Sequence, residues 1–355
     1  MSKDTTHTPT SPPGTSSIPL RRAITLFLCI SLALLVYRVS YYGTSSSGLE
    51  LHTLENLGHI DPELAHEPDP STEIKDLEHR VARDPEAAIA RAHLARAYLS
   101  LGIKHHDLDL INRAEERARS SLEIATFQNK DALEVLARIA SHKHEFDRAV
   151  ALSKQLLEMQ GSQGYEILIS SLLAQGKIDE ARMSASEFSR LEPGFSSFFQ
   201  MGLTAEASGD LVAAEASYIA ALKADPQSSR TASLWTRAIV ARFFLRQGRR
   251  DEASILIRKI LQFDPHYPFA VGLEGELSLA SGKYGFAAER FHQAFLTSRD
   301  PIYLYNAALA HKRSGDERSW RESLDAIISL YQKTGKEESM LHREILEQAL
   351  LERGS

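Results

Sequence analysis

Residues 198–226 read FFQMGLTAEASGDLVAAEASYIAALKADP, and the reading of this stretch decides the fold. Phe198, Met201, Gly202 and Ala205 are spaced three and four apart, the period of one helix face. Gly209-Asp210 interrupts that helix. Ala214, Tyr218, Ala221 and Leu222 then mark one face of a second helix. Asp225-Pro226 ends it, because proline cannot continue a helix and restricts the residue before it. The stretch is a helix–turn–helix whose apolar faces need each other.

The pattern recurs on both sides. Turn glycines stand at Gly176, Gly209, Gly248, Gly282 and Gly315, separated by 33, 39, 34 and 33 residues. Alanine follows five residues after the first four, at Ala181, Ala214, Ala253 and Ala287, where two helices must approach closely. Prolines close the units at Pro193, Pro226, Pro265 and Pro301. Self-similarity at this period resembles the tetratricopeptide repeat (TPR) family, whose helix-turn-helix pattern is W-x2-L-G-x2-Y…A-x3-F…P.

The resemblance covers about residues 85–330. Departures are Ser278 in place of an aromatic, Trp320 where a small residue belongs, and His144 in place of the turn glycine. The first unit, after Asp84-Pro85, keeps Leu94, Tyr98 and Gly102 but is expected to have a turn some eight residues longer than the others. Seven units result, with covering helices expected at about 71–83 and 337–352. No run alternates with period two, so the chain is expected to be all-α. The resemblance implies a right-handed superhelical solenoid whose first helices line an inner surface that binds an extended or helical peptide of a partner.

Before the repeats the chain changes character. Residues 1–22 form a Ser-, Thr- and Pro-rich tail ending in Arg21-Arg22. Residues 23–42 are expected to be a transmembrane anchor: AITLFLCISLALLVY is uncharged, and Tyr37, Tyr41 and Tyr42 suit the interface while Arg38 snorkels. A cleaved signal peptide, giving a soluble secreted protein, is the rival reading, against which VYRVSYYG offers no A-x-A-like site. Basic residues before the span place the N-terminus in the cytoplasm and residues 71–353 outside it, periplasmic in a two-membrane bacterium. Residues 43–70 read as an acidic flexible linker, with Glu50, Glu55, Asp61, Glu63, Glu67 and Asp69 and no Lys or Arg.

Composition narrows the function. The net charge of −6 argues against a nucleic-acid-coating surface, and a single cysteine rules out an intrachain disulfide or a Cys-rich zinc site. No phosphate loop, nucleophile elbow or H-E-x-x-H occurs, and the repeats leave no stretch for a catalytic domain. No enzyme activity, cofactor or small-molecule substrate is therefore expected. An alternative metal-handling or enzymatic role would centre on two His-rich turns, His105 and His106 with Asp107 and Asp109, and His142 and His144 with Glu145 and Asp147.

The carboxylate clamp that some relatives of the family carry is missing, since Glu134, Glu166 and Gly272 occupy those faces. The expected binding face instead joins Trp235, Ile239, Arg242 and Arg246 to Phe269 and Glu276 and to Tyr305 and Lys312 on successive first helices. Aromatic and Arg side chains are the usual anchors of interfaces, so a protein or peptide partner bearing acidic groups is expected there.

Overall fold

The computed structural model describes residues 51–66, 70–105, 107–127, 129–333 and 343–354. All the regular structure in these residues is helical. Seven hairpins follow one another. They are α3 (Ala88–His105) with α4 (Leu108–Ile124), α5 (Lys130–His142) with α6 (Phe146–Glu158), and α7 (Gln163–Ala174) with α8 (Ile178–Leu191). The fourth is α9 (Phe195–Ser208) with α10 (Leu211–Ala224), and the fifth α11 (Arg230–Arg246) with α12 (Arg250–Phe263). The last two are α13 (Pro268–Ala280) with α14 (Tyr284–Ser298), and α15 (Pro301–Ser314) with α16 (Glu317–Lys333). Helix α2 (Pro70–Arg83) precedes them, α17 (Arg343–Arg353) follows, and a short helix α1 (Leu51–Leu57) and a 3₁₀ turn, Pro62–His66, come first.

The turn chemistry explains the period. Each of Gly176, Gly209, Gly248, Gly282 and Gly315 has φ between 72° and 83°, the left-handed region that a side chain disfavours. In the second hairpin His144 adopts the same conformation at φ 60° and stacks its ring on Phe146 at 5.3 Å. Aspartates and an asparagine start several helices, Asn129 accepting from the Ala132 N–H and Asp210 from the Ala213 N–H.

Inside a hairpin the helices touch through small residues. A Cβ on Gly202 would run into the Tyr218 ring, and Ala214 is fully buried. Tyr218 in turn meets Phe199 of its own hairpin and Phe243 of the next one, with its hydroxyl donating to Glu206 at 2.6 Å. Two of the buried clusters each draw on residues of more than one hairpin, as expected of units that cannot bury their faces alone.

Two expectations are corrected. The first hairpin has no long turn: its extra residues lengthen both helices, and Asp107 caps α4 by accepting from the Leu110 N–H at 3.1 Å. Gly102 lets Ile111 pack against α3 there.

The second correction concerns the acidic linker, which between Leu51 and His66 is ordered and packed. Leu54 is 0% exposed and joins the core of the fourth to sixth hairpins with Ile60 and Leu64. Burying one such side chain stabilises by about 1.5–3 kcal/mol. Leu51, Leu54 and Leu57 share a helix face, and the charge of the segment masks that apolar period.

No helix among the described residues is long and apolar enough to cross a membrane. The expected span at 23–42 and the tail at 1–22 lie outside the described residues.

Candidate partner-binding face

The first helices of the fifth, sixth and seventh hairpins, α11, α13 and α15, carry the residues singled out in the sequence. Trp235 is 46% exposed although its neighbours Leu234 and Thr236 are buried. Its ring lies 5.2 Å from that of Phe269, tilted by 48°, so α11 and α13 present a joined aromatic pair. Arg242, two turns along α11 from Trp235, sets its guanidinium 5.5 Å from the Phe269 ring centre, in cation–π range. Glu276 and Arg246 are exposed on their helices. Ile239, grouped with Trp235 in the sequence reading, is buried in the core instead.

Tyr303 is the aromatic the sequence reading missed. It lies across α13 where Gly272 has no side chain, and a Cβ at Gly272 would strike its ring. Burial first, then the nearby Asp300 and Glu276 carboxylates, push the Tyr303 phenol up from its ordinary range. Tyr267 is raised for the same first reason, with Asp264 beside it. These hydroxyls stay protonated at neutral pH and present donors. The missed signal was Gly272 itself: a glycine inside a helix invites a bulky neighbour over it.

Tyr305 and Lys312 go elsewhere. The Tyr305 hydroxyl and the Lys312 ammonium each donate to the Glu352 carboxylate of α17 at 3.0 Å. Lys312 also stands 4.6 Å over the Trp320 ring. For the Glu352 carboxyl burial acts first and upward, but the donors Gln348, Lys312 and Tyr305 outweigh it and hold the group low. These two residues fasten the terminal helix, and an incoming partner meets them only by displacing α17.

The His-rich turns are engaged by other means. Among the described residues, no group of three or more His, Cys, Asp or Glu is placed to hold a metal ion. Asp107 is a helix cap, Asp147 accepts from Gln175 at 2.8 Å, and Glu145 pairs with Arg148 at 2.7 Å. Beside that turn Glu115 of α4 receives Lys143 at 2.7 Å and Arg148 at 3.0 Å. His106 and the His105 side chain lie outside the described residues.

Comparison with known proteins places this arrangement. A family model described as tetratricopeptide repeat matches residues 195–228, the fourth hairpin. Cellulose synthase operon protein C of Pseudomonas fluorescens (strain SBW25) is 32% identical over 147 residues, 38% of this chain and 11% of that protein. The match thus spans about a tenth of the relative's length. Among solved structures, a chain of the APC/C hetero-tetramer Cut9–Hcn1 is similar at TM-score 0.55 and 18% identity, over 68% of this chain and 46% of that one. A tetratricopeptide repeat protein from Parabacteroides merdae ATCC 43184 gives TM-score 0.49 and 15% identity, over 72% of this chain and 98% of its own. The chain thus carries a matched tetratricopeptide repeat at its fourth hairpin, and its fold is similar to that of the Cut9–Hcn1 chain.

Proposed function

We propose that the protein is a non-enzymatic, membrane-anchored scaffold that recruits a protein or peptide partner through the first helices of its last three hairpins. The observation that carries the reading is the half-exposed Trp235 joined to Phe269 under Arg242. Aromatic and Arg side chains grouped on one face are the anchors that partners bury. A peptide carrying an apolar or aromatic side chain beside a carboxylate suits it, the ring contacts supplying area and Arg242 the charge.

The anchor rests on sequence: Lys3, Arg21 and Arg22 ahead of the apolar run at 23–42 favour an N-terminus in the cytoplasm and repeats outside it, at the inner membrane of a bacterial envelope. Cytochrome maturation, secretion, envelope-protein folding and polysaccharide export all use anchored repeat proteins of this type. We put polysaccharide export first, on the likeness to a protein of a cellulose synthase operon.

The test is capture from solubilised membranes with the full chain and with a Trp235→Ala/Phe269→Ala variant that keeps native helicity and melting. Loss of specific partners in the variant supports the face; identical capture rejects it. A phosphatase fused after Ser355 is expected to be active outside the cytoplasm, and an inactive fusion rejects the topology.

A further inference from the structure

The segment 51–66 sits on the fifth hairpin as a bound peptide sits on a receptor. Four kinds of recognition meet there. Leu54 fills an apolar socket against α12, and Ile60 and Leu64 add to the same core. Glu55 is held by Arg258 and Lys259 of α12, the latter at 3.2 Å, and the pair of cations holds its carboxyl below the ordinary range, the Lys259 hydrogen bond first. The main chain is read twice. Arg237 donates to the carbonyls of Gly58 at 3.3 Å and His59 at 2.7 Å, and Gln227 clamps the His59 carbonyl and the Asp61 N–H. At Gly58 a side chain would be crowded: a Cβ would lie 3.0 Å from both the Leu54 carbonyl and Lys259 Cγ.

The receptor side is built in advance. Arg237 is 1% exposed, and the 2% exposed Asp225 side chain pairs with it at 2.6 Å. Ser233 donates to the same carboxylate at 2.8 Å, and the Gln227 N–H donates to it at 2.9 Å. Gln227 holds its clamp at φ 49°, a strained conformation for a residue with a side chain. Two of the Arg237 nitrogens are thus left pointing at whatever backbone lies over them, and an arginine so deeply buried needs acceptors there. What is read is main chain, one acid, three apolar anchors and one glycine, so the site recognises a pattern rather than a unique fold.

We propose that the fifth hairpin carries a second peptide-binding station, filled by the chain's own residues 51–64 and able to take in trans a peptide of the same pattern. That pattern is an apolar residue followed at once by an acid, then glycine four positions after the apolar anchor, and apolar residues two and six positions after the glycine. The segment acts as an exchangeable plug. Because Glu55 with Arg258 and Lys259 lies at the surface, raised salt loosens the plug before it loosens the hairpin cores.

The experiment uses the full chain in detergent and a fluorescein-labelled peptide of residues 49–66. A Leu54→Asp chain, its plug released, is expected to bind the peptide at least tenfold more tightly than the native chain, by anisotropy. A Glu55→Lys peptide is expected to lose at least tenfold, and to regain it on a Leu54→Asp chain that also carries Arg258→Glu and Lys259→Glu. A released chain with native helicity that fails to bind, or a charge exchange that restores nothing, overturns the proposal. Hydrogen exchange on the native chain decides the matter even if Leu54→Asp disturbs folding. Amides of 54–61 are expected to exchange much faster than those of Ile257 and Ile260, and faster still with excess unlabelled peptide, which displaces the plug; exchange that the peptide leaves unchanged contradicts exchangeability. A native chain that proves to be a dimer through exchanged 51–64 segments overturns the occupancy within one chain.

Discussion

The first helices of the first three hairpins and those of the last three occupy equivalent places in the repeat, yet they treat that place in opposite ways. In α3, α5 and α7 it is filled by charge. Arg96 reaches Asp131 and Glu134, and Arg138 reaches Glu134 at 2.8 Å and Glu166 at 3.6 Å, a ladder that crosses from hairpin to hairpin. Each rung is partly solvated and contributes about 0–1 kcal/mol. In α11, α13 and α15 the place is filled by Trp235, Phe269 and Tyr303 with Arg242 over a ring. A ladder of ions satisfies itself and gains little from a newcomer. A half-exposed Trp235 beside a partly buried Phe269 gains buried area whenever water is displaced from it. One fold therefore offers a closed face and an open one, and the difference lies in side chains that the repeat pattern does not specify.

The largest effect expected comes from the buried ion pair of the fifth hairpin, whose first helix carries the open face. Arg237→Ala removes the partner of buried Asp225 and should destabilise the chain by about 3–5 kcal/mol in urea unfolding. A change below about 1 kcal/mol would mean that the fifth hairpin does not depend on the pair. Next comes the face itself: Trp235→Ala with Phe269→Ala should weaken partner binding by about 2 kcal/mol or more, measured by titration calorimetry.

Hairpin packing ranks third. Gly202→Leu drives bulk into the Tyr218 ring and should cost about 1–3 kcal/mol, whereas Ser208→Leu at the exposed helix end should stay within about 0.5 kcal/mol. Equal melting shifts for the two would break the assigned register. The ladder should matter least: Arg138→Ala should change stability by less than about 1 kcal/mol and leave partner binding unchanged.

Alkaline pH tests the packing of the first hairpin. Burial first, and a hydrogen bond to Glu78, push Tyr98 on α3 up to about 12. An unfolded tyrosine releases its proton near 10. Between about pH 10 and 12 the unfolded chain therefore binds fewer protons than the native one, so stability is full below that window and falls as pH rises through it. Tyr98→Phe should make the fall between pH 9 and pH 11.5 shallower in thermal melts.

Much of the fold was legible because it is enforced locally. A turn that needs positive φ shows itself as glycine, and all five turn glycines read from the sequence adopt it. The helix expected at about 71–83 is found at Pro70–Arg83 for a similar reason, a polar start and a 3.6-residue apolar period. What was hidden depends on contacts far apart in the chain. The docking of Leu54 and Glu55 on α12 joins residues some two hundred positions apart, and its acidity reads locally as a solvated spacer.

The candidate face shows the same limit. Trp235, Arg242 and Phe269 were legible as one group because they recur at helical spacing on consecutive first helices. Tyr305 and Lys312 obey that spacing equally well, but Glu352 of the terminal helix claims them. Tyr303 was missed because its place is set by the absent side chain of Gly272 on another helix.

The chain has two tryptophans, Trp235 at the open face and Trp320 buried in the last hairpin. A Trp320→Phe chain therefore reports from the proposed face alone. With a partner purified by capture, iodide quenching of Trp235 should fall several-fold on complex formation and its emission should shift to the blue. A complex of confirmed mass that leaves both quenching and emission unchanged would contradict the assignment of this face to partner binding.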